Sequence, residues 1–102
     1  MDATPNGIDV AIDDASHVAD HQQFTIGFLI NHMNKESLYV IEDLHTERPT
    51  KIDKTLNVLQ NYRKTGNMNS EVLSKDKCKI IENRIKSFKF SLNNKIVVMR
   101  VE

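Results

Sequence analysis

Four groups of residues in this 102-residue chain have types and spacings that could support chemistry. His17 and His21 stand four apart, so on a helix both rings would face one way and could hold a metal ion, with Asp13, Asp14 or Asp20 as a carboxylate ligand. A metal site needs a rigid frame and a further ligand motif. The pair borders a stretch expected to be mobile, so the sequence does not favour one. Glu42, Asp43, His45 and Glu47 gather just before Pro49. Carboxylates beside a histidine can exchange protons or bind a divalent cation where a cleft of low dielectric tunes them. Their spacing fits no catalytic motif, and a solvated acidic loop is the simpler reading. His32, near an expected loop, reads as an exposed polar residue. Cys78 falls among the apolar residues of an expected helix, where burial disfavours the reactive thiolate.

The fourth group is basic. Lys75, Lys79 and Lys86 are expected to project together from one helix, extended by Lys89 and Arg100. Such a stripe neutralises phosphates and would give salt-dependent binding. It consists mainly of Lys rather than the Arg that reads guanine edges bidentately, and no exposed aromatic series accompanies it for stacking. Three readings stay open, in order of weight: a solvated helix face, contact with nucleic acid, and contact with an acidic protein.

Several function classes fall away. With glycine only at Gly7, Gly27 and Gly66, neither the phosphate-loop pattern nor the dinucleotide-binding glycine pattern can be written. No cofactor is expected. A single cysteine makes no disulfide framework within the chain and no multi-cysteine zinc site. The longest uncharged apolar stretch, residues 24–30, is far below the roughly 20 residues of a membrane helix. No basic-then-apolar leader opens the sequence and no Asn-x-Ser/Thr sequon occurs. The expectation is a soluble intracellular protein, cytoplasmic or nuclear, with no membrane partner and no small-molecule substrate.

The elements that would position these residues follow from patterning. Residues 1–22 carry Pro5, an Asn6-Gly7 pair and an excess of acids, and are expected to form a mobile acidic arm ahead of a single α+β domain over residues 23–102. Within the arm, Ile8, Val10 and Ile12 alternate with Asp9 and Ala11, so this stretch could add to a sheet edge as a short strand. Phe24, Ile26, Phe28 and Ile30 alternate with Thr25, Gly27, Leu29 and Asn31, the period of a strand, and residues 38–41 make a second strand of an expected hairpin. A competing reading makes residues 14–33 one helix with Val18, Gln22, Ile26, Leu29 and Met33 on one side. Gly27 and the β-branched Thr25 and Ile26 weigh against it.

After Pro49, Thr50 can cap a helix that carries Asp53 in its first turn, Ile52, Leu56, Leu59 and Tyr62 on one stripe, and Gly66 as its stop. A second helix is expected over residues 70–88, with Leu73, Cys78, Ile81, Ile85 and Phe88 on its apolar side. Phe88, Phe90 and Leu92 then alternate with polar residues, Asn93-Asn94 suits a two-residue turn, and residues 95–101 are strongly β-forming. That register sets Phe90 opposite Val97 and Phe88 opposite Met99.

The order is therefore expected to be β-β-α-α-β-β: an antiparallel four-stranded sheet of two hairpins with two helices on one face. The 39% hydrophobic and 27% charged residues sit in the globular range, and charge divides unevenly. Residues 1–49 hold nine acids and two bases, residues 50–102 five acids and twelve bases. Oppositely charged halves can fold onto one another and neutralise, or leave an interaction surface. The leading expectation is a small non-enzymatic protein–protein interaction module, such as an adaptor, regulatory subunit or inhibitor, acting through a sheet edge or helix face. Its candidate surface is Lys75, Lys79, Lys86, Lys89, Arg100, Ile96 and Val98, and its partner another protein or a second copy in a homodimer. The alternative is a nucleic-acid-binding protein using the basic second half. A third is a small hydrolase or nuclease using the acidic cluster of Glu42, Asp43, His45 and Glu47.

Overall fold

A computed structural model describes residues 7–13, 19–42, 44, 54–91, 93 and 95–102. The elements run β1 (Ile8–Asp13), α1 (Ala19–Leu29), a single 3-10 turn (Ile30–His32), β2 (Met33–Ile41), α2 (Thr55–Thr65), α3 (Lys75–Arg84), β3 (Ile85–Ser91) and β4 (Ile96–Val101). The four strands form one mixed sheet in the order β1-β2-β4-β3. β1 lies parallel to β2, while β4 runs antiparallel to both β2 and β3.

The expected first hairpin is absent. Residues 24–30 belong to α1 and its 3-10 extension, so the chain goes from β1 through α1 into a parallel β2, a crossover of the kind a helix usually makes. The strand-like alternation and the helix share their even-numbered positions. At helical spacing, Gln22, Ile26 and Ile30 turn inward while Phe24 and Phe28 turn outward. The stretch Ile8–Asp13, legible as a possible edge strand, pairs Val10 with Leu38, Ala11 with Tyr39 and Ile12 with Val40. Gly7 precedes it at φ 112°, where an added Cβ would lie 2.5 Å from the His32 carbonyl oxygen. Only glycine fits there without displacing backbone. Further along the same pair, β2 bulges: Glu36 adopts φ 61°, and the Ser37 hydroxyl donates to the Asn34 carbonyl at 2.6 Å.

The helices differ from expectation at their ends. α2 begins at Thr55 with Lys54 in the N-cap position, so the cap expected at Thr50, with Ile52 and Asp53, lies outside the described residues. Its end is as read: Gly66, at φ 80°, closes the helix with its N–H on the Tyr62 carbonyl at 2.7 Å. α3 is shorter than the expected 70–88. The Ser74 hydroxyl caps it by accepting from the Lys77 N–H at 3.2 Å, and Ile85 already has extended angles. The β-branched and aromatic run that follows prefers the sheet.

The last hairpin has the expected register, with Phe90 opposite Val97 and Phe88 opposite Met99. β3 ends at Ser91 and β4 begins at Ile96, the Lys95 N–H donates to the Ser91 carbonyl at 3.0 Å, and Asn94 of the expected turn lies outside the described residues. Asn93 adopts the left-handed conformation, at φ 57°. β4 is interior, and the sheet's edges are β1 and β3.

One face of the sheet carries the core. Tyr39, Ile41, Val97, Met99 and Val101 are fully buried with Ile26, Ile30, Leu59 and Ile81 from the helical layer. Each such side chain contributes roughly 1.5–3 kcal/mol by leaving water. The helices are also tied together by polar contacts. Arg84 donates to the Ile30 carbonyl at 2.6 Å and, through Nε, to the Glu102 carbonyl at 3.1 Å, joining the end of α3 to the 3-10 turn and to β4. The Ser70 hydroxyl hydrogen-bonds Gln23 Oε1 at 2.7 Å, holding the α2–α3 connection on α1.

Candidate interaction surface

Strand alternation sends every second residue to the face opposite the helices. There the cross-strand register assembles two rows. Ile12, Val40, Val98 and Lys89 make one; Val10, Leu38, Arg100 and Ser87 make the other. Ile96, paired with Ser91, extends the first row's end. No helix of the described residues covers this side. Val10 is 55% exposed, Ile12 60% and Leu38 38%, while Val40, Ile96 and Val98 are partly buried by their neighbours. Six apolar side chains thus share one open surface spanning β1, β2 and β4.

The rim of this surface is polar. Arg100 Nε donates to Glu102 Oε2 at 2.9 Å, and its other end approaches Glu36 Oε1 at 3.9 Å. These are exposed pairs, worth at most about 1 kcal/mol, but they leave the guanidinium's charge balanced within the chain. Lys89 stands at the far edge, on β3.

The structure divides the sequence-derived candidates between two surfaces. Ile96, Val98, Lys89 and Arg100 share the open face of the sheet. Lys75 and Lys79 stand one turn apart on α3 and line a groove of about 570 Å3 with Asn67, Ser70 and Glu71. Lys86 is not on their helical stripe, because α3 stops at Arg84. It sits on β3, beside a second groove of about 400 Å3 with Tyr62, Arg63 and Phe88. Glu82 reaches both grooves and accepts the Met68 N–H at 2.7 Å. The basic stripe is therefore broken by a change of element and interrupted by carboxylates.

The remaining candidates separate as well. Cys78 is buried in the core side of α3. His32 is exposed and its ring packs on Phe28, centroids 5.4 Å apart. His21 is exposed on α1, while His17 and Asp14 lie outside the described residues, as do Asp43, His45 and Glu47 of the acidic cluster. Among the described residues no group of three His, Cys, Asp or Glu could hold a metal ion, and no helix is long and apolar enough to cross a membrane.

Three features were not found from the sequence. Val10, Ile12, Leu38 and Val40 form half of the open face, which required knowing that β1 joins β2. α1 is turned inside out: Gln22 and Gln23 are buried, whereas Phe24 is 63% and Phe28 58% exposed. Two phenylalanines four apart were the available signal for a helix face. Both tyrosines are also held in their neutral form. Burial, then Glu82, pushes the Tyr62 hydroxyl up to about 12, and that hydroxyl lies 2.9 Å from the Ile85 carbonyl and 3.1 Å from that of Ile81. Tyr39 is raised further, by burial and then by Asp13, and its hydroxyl has no hydrogen-bond partner among the described residues.

Comparison with known proteins bears on the fold. No protein-family model matches the chain, and no curated protein matches it. Two solved structures are similar to it, both of MycE methyltransferase from the mycinamycin biosynthetic pathway in complex with Mg and SAH, in two crystal forms. They superpose with TM-scores of 0.66 and 0.64 at 19% and 20% identity. The match covers 92% of this chain and 27% and 26% of those chains, so the chain spans about a quarter of the structures it resembles. At this identity the likeness is one of fold.

Proposed function

We propose that this chain is a small protein–protein interaction module working through the open face of its sheet, with no catalytic chemistry of its own. The observation that carries this reading is the continuous apolar surface of Val10, Ile12, Leu38, Val40, Ile96 and Val98 opposite the helical layer. A two-layer domain normally leaves its solvent face polar, and an apolar patch rimmed by charges is the usual composition of a protein contact. The nucleic-acid-binding alternative has less support, because its lysines divide between α3 and β3 with Glu71 and Glu82 among them. A nucleotide cofactor has little to rest on either. Nucleotide cofactors in α/β sheets sit on glycine-rich turns at the carboxyl ends of parallel strands, and this sheet has a single parallel pair and no such turn in the sequence. The similarity to about a quarter of a methyltransferase supports a domain that larger proteins can carry as one part.

Position-specific photo-cross-linking tests the reading. Benzoylphenylalanine placed at Leu38 should give a discrete protein adduct in extract of the native cells, suppressed by Val40→Glu. The same probe at Lys64, exposed on α2, should give little. Equal labelling at both positions would overturn the proposal.

A further inference from the structure

Resting on that reading, we infer that the occupant of the open face is a second copy of this chain, packed sheet on sheet about a two-fold axis that crosses the strands between the two apolar rows. The register supplies the argument. Such an axis exchanges the rows, setting Val10 against the partner's Ile12 and Leu38 against the partner's Val40, so β1 and β2 meet apolar on apolar, while Arg100 lies over the partner's Val98. A two-fold running along the strands would instead lay β1 over β3 and bury Val10 and Ile12 against Ser87 and Lys89. The crossing axis also leaves Lys89 opposite Ser87 and sets no cation against itself.

Charge and area point the same way. Arg100 is already balanced by Glu36 and Glu102 of its own chain, so covering the patch requires no oppositely charged partner. With four strands about 4.8 Å apart, and a rise of about 3.3 Å per residue along the six-residue β1 and β4, the face measures about 19 by 20 Å. Two such faces remove about 800 Å2 in projection, and more once side-chain corrugation is included. That places the contact below the standard size of specific interfaces, among the weak and reversible ones. Because the contact is apolar and Arg100 is balanced within its own chain, salt should change the dimer little.

Sedimentation of the full chain over a hundredfold range of concentration, at low and high salt, is the test. The expected result is a reversible shift from monomer to dimer, little changed by salt. Val40→Glu should weaken it by at least about tenfold while leaving the thermal melt in place. Should that variant fail to fold, Leu38→Lys, at a more exposed position, serves instead. Under a mild oxidant, an equimolar mixture of Leu38→Cys and Val40→Cys chains should form a cross-linked dimer faster than either alone. A monomer at every concentration would overturn the inference, as would a dimer indifferent to both surface variants. If the Leu38 photo-adduct has the mass of a foreign protein, the interaction reading stands and the second copy is excluded. If Leu38 gives no specific adduct, both fail.

Discussion

On one face of the sheet, Tyr39, Ile41, Val97, Met99 and Val101 are closed off by three helices; on the other, Val10, Ile12, Leu38, Val40, Ile96 and Val98 remain wholly or partly open to solvent. The two sets are similar in residue type and interleave along the same strands. β4 shows this most directly, since Val97 and Val98 are neighbours with opposite surroundings. Apolar composition therefore says that a strand is fit to be covered. It does not say by what: the covered set is closed by segments of the same chain, and the open set has a surface that nothing among the described residues closes.

Substitutions should separate the two faces by their effect on the isolated chain. The largest effect is expected at the covered face. Met99→Ala removes most of a fully buried side chain and should cost about 2–5 kcal/mol, measured as a lower midpoint in urea unfolding at unchanged slope. A loss below 1 kcal/mol would mean that the helical layer is loosely seated. Next is the alkaline limit. The native hydroxyl pKa of Tyr62, about 12, exceeds the unfolded value near 10, so its stabilising contribution is complete below pH ~10 and is lost as pH rises toward 12. Tyrosinate absorbance should therefore rise together with unfolding in that window, and an earlier rise from the folded chain would contradict the burial.

Smaller effects test the layer's polar contacts. Tyr62→Phe should cost about 1–2 kcal/mol, because its hydroxyl bonds with the end of α3 and the start of β3. Tyr39→Phe, at a hydroxyl with no partner among the described residues, should be neutral or stabilising by up to about 1 kcal/mol in the same unfolding assay. Smallest of all, Val98→Thr on the open face should shift stability by no more than about 0.5 kcal/mol in dilute solution. A loss comparable to that of Met99→Ala would show that the open face is part of the monomer's own core, and the contrast between faces would collapse.

Legibility in the sequence followed the range of the interactions. The C-terminal hairpin was readable in element and register because its two strands are adjacent in the chain and Phe88, Phe90, Val97 and Met99 must share a face. The limits of α3 were not legible because Leu73 lies on the helical stripe ahead of the Ser74 cap, and Ile85 and Phe88 continue that stripe past Arg84, where the chain becomes extended. Residues 24–30 were misread for a geometric reason: a helix repeats every four residues and a strand every two, so Ile26 and Ile30 satisfy both. Gln22 and Gln23 at buried positions and Phe24 and Phe28 at exposed ones contradict the usual polarity of a helix. Of the candidate surface, the half carried by the hairpin was visible, as Lys89, Ile96, Val98 and Arg100. The half carried by β1 and β2 was not.

What the amino-acid sequence determined by itself is local: the left-handed stop at Gly66, the final hairpin, the isolation of Cys78, and the lack of a glycine-rich phosphate cradle. What only the tertiary structure decided is the partnership of distant segments. β1 and β2 pair in parallel across α1, β4 becomes an interior strand, and the helices gather on a single side. Backbone propensities act over a few residues, whereas strand pairing and layer packing depend on which apolar surfaces meet once the chain has collapsed. Val97 and Val98 carry the same side chain and the same propensity, and only the placement of the helices makes one core and the other surface.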